Sequence, residues 1–378
     1  MNCFDRDQEA ARLWRYFQQG RNVLMLAPRR MGKTVLLERL RQESDSKGFR
    51  ALVLDVEHRR QEKDFFREMC ASIQEELTVG QAIVASLTER IRRAVQGAEN
   101  LQGDWRNLLL DMEWEVFAKH LLTQLEETKD DKTWVILVDE IAIFTKNLLD
   151  DQGVAAASDF LYKLRYLCRA HPRVLWLFTG SIGLDTLARR HGFEGALVDL
   201  QIFALEPFSP KTAKEFLQTI AKWNEVTLPD ESAQALCDRL GWLLPYYLEK
   251  IGEAACEGAS LEKIVDSQAV ERAAESLLDM AHRTYWPTWR EHLDKNFAEP
   301  ERTRLFTLLA EVAASPEGAS FDTLLLALNR RGEGIDERIV LGDIDTLVAD
   351  GYLSADADRS HFRFRMNLLR EWWLRHVR

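Results

Sequence analysis

Cysteine is scarce in this sequence and is never spaced for a paired site. The five cysteines are odd in number and lie far apart, and no two of them form a C-x-x-C pair. Neither a disulfide framework nor a cysteine-ligated zinc site is therefore indicated. This usage suits a reducing compartment, so we expect a cytoplasmic protein.

Long apolar runs and low-complexity stretches are also absent from the sequence. No segment approaches the ~20 apolar residues that a membrane-spanning helix requires, and the charged N-terminal segment lacks the apolar core of a signal peptide. Glycine and proline contribute only 19 and 9 of 378 residues, which excludes collagen-like and low-complexity classes. We expect a soluble protein of about two to three domains that does not bind membranes.

The charge balance is acidic and limits the choice of partners. The sequence contains 61 Asp and Glu against 50 Lys and Arg, which gives a formal net charge of −11. A chain with this balance is not expected to be coated by nucleic acid, although it leaves room for a local basic patch.

Five short apolar or β-branched runs interrupt a sequence in which helical periodicity dominates. They lie at residues 22–27, 50–56, 134–139, 174–179 and 198–205. Strands that alternate with helices form βαβ units, and their parallel sheet is buried on both faces. The sequence therefore predicts an α/β core with a five-stranded parallel sheet and flanking helices.

Three domains are predicted along the chain. The α/β core spans residues 1–206 and contains a helical insertion at about 64–128. The insertion is patterned as two or three helices, at 64–77, 86–96 and 114–127. Prolines then punctuate helical segments over residues 207–295, which predicts an all-helical lid. Residues 296–378 read as three helices and a two-stranded hairpin around 356–360, which predicts a winged helix-turn-helix closed by a final helix.

The most specific motif lies between the first predicted strand and a helix. It reads Ala27-Pro28-Arg29-Arg30-Met31-Gly32-Lys33-Thr34. The motif fits the P-loop pattern G-x-x-x-x-G-K-[ST] except at its first position, where alanine replaces glycine. In such a loop the backbone N–H groups bind phosphate, Lys33 neutralises the β and γ oxygens, and Thr34 ligates Mg²⁺. We predict that residues 28–34 bind ATP within an α/β P-loop NTPase fold.

A second motif follows the third predicted strand. The apolar run that begins at Trp134 ends in the acids Asp139 and Glu140. A buried parallel strand delivers the residues at its carboxyl end to the edge of the sheet where ligands bind. We predict that Asp139 holds Mg²⁺, as in a Walker B motif, and that Glu140 is the general base that polarises the attacking water. Two acids in succession favour hydrolysis of ATP over mere binding.

Candidate accessory residues follow the fourth predicted strand. Thr179 or Ser181 is a candidate sensor that would lie beside the γ-phosphate, although a simple glycine-rich turn is an alternative interpretation. Arg189 and Arg190 are candidates for an arginine finger that reaches a nucleotide in a neighbouring subunit of a homo-oligomer. A solvated helix end is the alternative for this pair.

Several motifs together resemble one family, the archaeal-type ATPase group of the AAA+/STAND P-loop ATPases, which is related to the Orc1/Cdc6 initiators. The resemblance covers about residues 2–258 and is carried by FDRDQE, APRRMGKT, LVLDVE, ILVDE, LFTGSIGL, LEPFSPKTAKEFL and LGWLLPYYLEKI. It implies that Phe4 and Arg6 flank the adenine and that Pro245 of the lid approaches the nucleotide. The box before the first helix departs from the usual glycine and acid at Asp5 and Asp7.

The charges of the predicted winged helix decide between possible partners. The candidate recognition helix carries five acids against one arginine, which would repel the major groove of DNA. The acids are Asp336, Glu337, Asp343, Asp345 and Asp350. The wing and tail are instead rich in arginine, at positions 359, 363, 365, 370, 375 and 378. These arginines either grip phosphates, pair with the acidic lid or bind a protein.

Two functions remain open at this stage, and a third is weaker. In the first, the protein is a STAND-type molecular switch whose lid and wing close on ATP, open after hydrolysis and engage a protein partner. In the second, it is an initiator-like ATPase that binds DNA through the wing and tail. In the third, it regulates a neighbouring effector, as in phage defence. The acidic recognition helix favours the protein-directed switch.

Overall fold

The five apolar runs of the sequence form the central sheet of the computed structural model, which describes residues 4–78, 114–127, 132–180, 183–279, 285–330 and 334–377. The strands are β1 (Val23–Leu26), β2 (Phe49–Asp55), β3 (Thr133–Asp139), β4 (Val174–Gly180) and β5 (Gln201–Ala204). Their order in the sheet is β2-β3-β4-β1-β5, and every neighbouring pair is parallel. This confirms the predicted P-loop NTPase fold class. The fifth strand begins at Gln201, later than predicted, because residues 197–199 form a turn that leaves Val198 exposed.

The chain forms two compact units, one with residues up to Ala27 and Lys33–Leu205, the other with Pro28–Gly32 and Glu206–Arg378. The helices described in the first unit are α1 (Asp7–Gln18), α2 (Lys33–Glu43), α3 (Glu62–Thr78), α4 (Trp114–Glu127), α5 (Ile141–Gln152), α6 (Val154–Ala170) and α7 (Leu184–His191). The predicted division of the chain into three domains stays a prediction.

The core of the first unit lies between the sheet and its helices. All but the first residue of β3 and all of β4 are buried, as expected for strands covered on both faces. Helices α3 and α4 pack against each other, and α5 and α6 pack on β4. Helices α3 and α4 confirm the first and third helices predicted for the insertion. The second, at 86–96, lies outside the described residues.

The second unit begins with the helices predicted for the lid. They are α8 (Pro210–Trp223), α9 (Asp230–Leu240), α10 (Pro245–Glu257), α11 (Ser267–Leu278) and α12 (Pro287–Asn296). Local sequence sets their starts. The side chain of Ser209 accepts a hydrogen bond from the Thr212 amide at 3.1 Å, and proline occupies the first position of α8, where its missing N–H is not needed.

The C-terminal part of this unit has the helices and hairpin predicted from the sequence. Its elements are α13 (Glu301–Ala313), β6 (Ala319–Ser320), α14 (Phe321–Asn329), α15 (Glu337–Ala349), β7 (Leu353–Ala355), β8 (His361–Phe364) and α16 (Asn367–His376). The strands form an antiparallel sheet in the order β6-β8-β7. Trp372 and Trp373 are buried in its core, as their apolar spacing predicts. The winged-helix name for this region stays an interpretation.

Two of the acids assigned to the candidate recognition helix do not face solvent. Asp343 is 3% exposed and accepts a hydrogen bond from Arg304 at 2.6 Å. Asp350 is 6% exposed and lies 3.1 Å from the ring of His292. Burial of a charge requires a partner, and both acids have one. The surface of α15 is therefore less acidic than the sequence count suggested, which corrects part of the argument against DNA.

None of the helices that the structure describes combines the length and the apolarity needed to cross a membrane.

The carboxyl end of β4 lies very close to α5. A Cβ atom on Gly180 would come within 2.8 Å of the Ala142 Cβ and 3.3 Å of the Ala142 backbone nitrogen. Ala142 is buried near the start of α5 and cannot rotate its Cβ away. Only glycine permits this approach of strand and helix.

We therefore predict that Gly180→Ala lowers the free energy of unfolding by roughly 1–3 kcal/mol, the usual cost of overpacking a core. Urea denaturation followed by circular dichroism measures the change. Gly342→Ala is the matched control, because no heavy atom lies within 4 Å of its added Cβ. An unchanged unfolding free energy in Gly180→Ala would contradict the packing argument.

Candidate active site

The loop between β1 and α2 contains two residues with left-handed backbone conformations. Arg30 has φ 68° and Gly32 has φ 81°. Such a conformation is easy for glycine but costs energy for arginine, so it persists only where surrounding contacts fix it. No heavy atom lies within 4 Å of a Cβ added to Gly32. The loop is therefore sharply bent and open at this glycine.

Lys33 is the first residue of α2 and is 7% exposed. Its Nζ donates a hydrogen bond to the backbone oxygen of Ala27 at 3.1 Å. A buried ammonium needs such acceptors, because burial without them is costly. The cation is thus held at the amino end of a helix, where the backbone N–H groups also favour anions.

Thr34 and Asp139 meet at the carboxyl edge of the sheet. The Thr34 Oγ1 donates a hydrogen bond to Asp139 Oδ2 at 2.9 Å, although the residues lie 105 positions apart in the chain. Asp139 is the last residue of β3 and is 5% exposed. Burial raises the pKa of its carboxyl, as does the charge of Glu140, against the lowering effects of the Thr34 hydrogen bond and the Lys33 charge. A hydroxyl and a buried carboxylate in contact are an oxygen pair suited to Mg²⁺.

Glu140 follows Asp139 in a left-handed conformation with φ 57°. Its backbone N–H donates to Asp139 Oδ1 at 3.0 Å, and α5 begins at the next residue. Positive φ in a residue other than glycine is uncommon and is concentrated at functional sites. The strand end therefore fixes both acids at one edge of the sheet, beside Asp55, which pairs with Asp139 in the register of β2 and β3.

Thr179 lies near the carboxyl end of β4, in register with Met25 of β1. Its side chain is fully buried, and among the described residues its hydroxyl has no hydrogen-bond partner. A buried hydroxyl without a partner is rare and needs an explanation. Of the two predicted sensors, Thr179 is thus placed at the sheet edge, whereas Ser181 lies outside the described residues.

The other predicted site residues are placed as follows. Arg189 and Arg190 are exposed in the last turn of α7, and their role as a finger stays a prediction. Arg6 is 3% exposed and donates to Glu9 at 2.6 Å just before α1, while Phe4 is half-buried. Pro245 is the first residue of α10, the position at which proline starts helices. The adenine and lid roles of these residues stay predictions.

The rest of the loop, Pro28–Gly32, belongs to the second unit, and its contacts there were not predicted. The Arg30 guanidinium lies over the ring of Tyr246, with its central carbon 4.2 Å from the ring centroid. Arg29 Nη1 donates to the backbone oxygen of Thr288 at 3.4 Å. Met31 is buried. For Tyr246, the available signal in the sequence is its position directly after Pro245.

Comparison with known proteins supports the resemblance seen in the motifs. Residues 5–105 match a family described as an AAA-like domain. No curated protein matches the chain significantly. Among solved structures, the Walker-type ATPase PABY2304 of Pyrococcus abyssi aligns over 98% of this chain and 95% of its own, with TM-score 0.68 and 16% identity. The ORC2 protein of Aeropyrum pernix, solved as ADPNP–ADP complexes, aligns over 100% and 95%, with TM-score 0.56 and 12% identity.

The TM-scores of these two alignments establish a shared fold. Sequence identities this low do not show a shared activity. The fold extends over nearly the whole length of both archaeal proteins, and the family match covers the segment that contains the P-loop. The chain therefore shares the fold of these two archaeal proteins, and its residues 5–105 resemble an AAA-like domain.

Proposed function

We propose that this protein binds and hydrolyses ATP with Mg²⁺ and acts as a nucleotide-dependent switch on a protein partner. The observation that carries the proposal is the 2.9 Å hydrogen bond between the Thr34 hydroxyl and the Asp139 carboxylate. It joins the side chain at the end of the P-loop motif to the acid at the end of the Walker B strand. The two motifs were predicted separately, and the fold brings them together.

The residues at this edge fit a magnesium nucleotide. Thr34 and Asp139 supply oxygen atoms of the kind that Mg²⁺ prefers, and the bent loop before α2 has the backbone form of a phosphate cradle. Lys33, held by the Ala27 carbonyl, is the cation that would bind the β and γ oxygens. When bound, Mg²⁺ neutralises charge that develops on the phosphates.

Glu140 is the general base in this proposal. Its carboxylate follows Asp139 directly, and its side chain is half-buried rather than sealed in the core. A glutamate at this point accepts a proton from the attacking water, and positioned proton transfer of this kind contributes to the rate. The buried hydroxyl of Thr179 at the end of the adjacent strand β4 would orient the water or the terminal phosphate.

We predict that Lys33→Ala weakens Mg·ATP binding by at least about tenfold, because it removes the charge that faces the phosphates. Glu140→Gln should bind Mg·ATP with unchanged affinity and lower kcat by about 10²–10⁴, because it removes the base and preserves the shape of the side chain. Titration with a fluorescent ATP analogue and release of phosphate measure the two effects.

Lys211→Ala and Glu215→Gln are matched controls, because this pair lies exposed on α8. Both controls should bind and hydrolyse ATP as the unaltered protein does. Hydrolysis of ATP at the native rate by Glu140→Gln would show that another group is the base. Binding of Mg·ATP by Lys33→Ala with native affinity would contradict the assignment of the P-loop.

The charges of the C-terminal region support a protein partner more than DNA. Four of its arginines are engaged within the second unit. Arg375 forms two hydrogen bonds to Glu275, at 2.8 and 3.0 Å, and Arg359 pairs with Asp345. Arg365 and Arg370 donate to backbone oxygens at 2.8 Å each. These contacts occupy guanidinium donors that would otherwise be available to phosphates.

Arg363 is the residue through which the alternative, an initiator-like DNA-binding ATPase, is best tested. It is exposed on β8. Arg365 is less suitable, because its guanidinium lies 5.0 Å from the ring centroid of Trp242 and its loss would disturb packing.

We predict that the protein shows no sub-micromolar binding to duplex DNA in fluorescence polarisation. Any weak binding should be insensitive to Arg363→Ala, because one exposed arginine contributes a single phosphate contact at most. Lys211→Ala, which removes an exposed cation of α8, is the control. Tight binding that falls steeply with salt and is lost in Arg363→Ala would favour the initiator-like function.

A further inference from the structure

At the bend of the P-loop, Arg30 contacts an aromatic side chain of the lid, Tyr246. The central carbon of the Arg30 guanidinium lies 4.2 Å from the ring centroid of Tyr246, at the start of α10. A guanidinium at this distance over a tyrosine ring is within the range of an attractive cation–π contact. Both residues belong to the second unit, because Pro28–Gly32 is grouped with the lid.

This contact falls at the strained residue of the loop. Arg30 has φ 68°, a conformation that arginine adopts only when something holds it. Two neighbouring loop residues are also held. Arg29 donates to the Thr288 backbone oxygen at 3.4 Å, and Pro28 lies near Gly351, whose added Cβ would be 3.3 Å from the Pro28 Cβ. The loop is thus contacted at three successive residues.

The ring that receives Arg30 is itself firmly supported. Tyr246 packs edge to face on Tyr247 at 5.1 Å, and Tyr247 stacks on Trp286 at 4.7 Å. Trp289 Nε1 donates to the Tyr247 hydroxyl at 2.6 Å. Tyr247 and both tryptophans are buried. A ring mounted on packed aromatic side chains has little freedom, so it can fix the position of a flexible arginine.

The aromatic support continues from the lid into the C-terminal region. The hydroxyl of Tyr352 donates to the backbone oxygen of Trp289 at 2.5 Å, and Tyr352 packs edge to face on Trp373 of α16. Contiguous packing of this kind joins the loop contact to the hydrophobic core of the C-terminal elements, and it lies within one compact unit.

We propose that Arg30 and Tyr246 are positioning residues of the nucleotide site. The ring of Tyr246 holds the Arg30 side chain and thereby fixes the left-handed bend that precedes Gly32 and Lys33. Phosphate affinity consequently depends on a side chain of the lid, and the lid responds to whatever occupies the loop. This inference rests on the proposed ATP binding and adds to it the element through which loop and lid are coupled.

The test is a double-mutant cycle on binding of a fluorescent ATP analogue with Mg²⁺. Arg30→Ala and Tyr246→Ala should each raise Kd by about threefold to tenfold, the range expected for loss of a half-buried cation–π contact. The double variant should be no weaker than the weaker single variant, because both substitutions remove the same contact.

Conservative variants distinguish a positioning role of Arg30 and Tyr246 from a general effect on packing. Tyr246→Phe keeps the ring and Arg30→Lys keeps a cation, so both should restore most of the affinity. Arg12→Ala is the matched control, because it removes a similar contact of α1 with Tyr16 and Phe203, at 5.6 and 5.2 Å, and should leave Kd unchanged. The Arg30 variants keep the test decisive if Tyr246→Ala does not fold.

Additive effects in the double variant would overturn the proposal, as would Tyr246→Phe binding as weakly as Tyr246→Ala. If the native protein binds the analogue, Lys33→Ala does not, and Arg30→Ala binds normally, the positioning role fails and the nucleotide site stands. If the native protein and Lys33→Ala both fail to bind, the proposed function fails and this inference falls with it.

Discussion

The contact between Thr34 and Asp139 is the constraint on which the rest of the candidate site depends. It forms only if β1 and β3 lie in one parallel sheet whose carboxyl ends share an edge, and if a sharply bent loop delivers α2 to that edge. Burial raises the pKa of the Asp139 carboxyl. Keeping a charged carboxylate at this position therefore lowers the stability of the fold. A buried carboxylate of this kind needs a cation or a hydrogen-bond donor beside it.

Much of the fold could be predicted because the central strands β3 and β4 are buried on both faces. Apolar or β-branched runs identified all five strands, and prolines marked the starts of α8, α9 and α10. The P-loop and the acidic pair could also be identified from the sequence, because binding of phosphate and metal requires particular residues at particular spacings. The start of β5 was misplaced because a β-branched residue, Val198, lies in an exposed turn instead of the strand.

What the sequence did not reveal depends on contacts between residues far apart in the chain. Counting charges placed Asp343 and Asp350 on an exposed helix face, but Arg304 and His292 pair with them in the interior. The arginines at 359, 365, 370 and 375 likewise looked available and are engaged. The stacking of Arg30 on Tyr246 is of the same kind. Each of these contacts lies within the second unit.

The most direct test of this account is the binding of Mn²⁺, as a spectroscopic substitute for Mg²⁺, in the presence of ADP. Electron paramagnetic resonance should detect one tightly bound Mn²⁺ per chain in the native protein and in Thr34→Ser, which keeps the hydroxyl. We predict that Thr34→Val and Asp139→Ala lose this bound ion, because each removes an oxygen ligand of the pair. Undiminished Mn²⁺ binding by both of these variants would contradict the claim that Thr34 and Asp139 form the metal site.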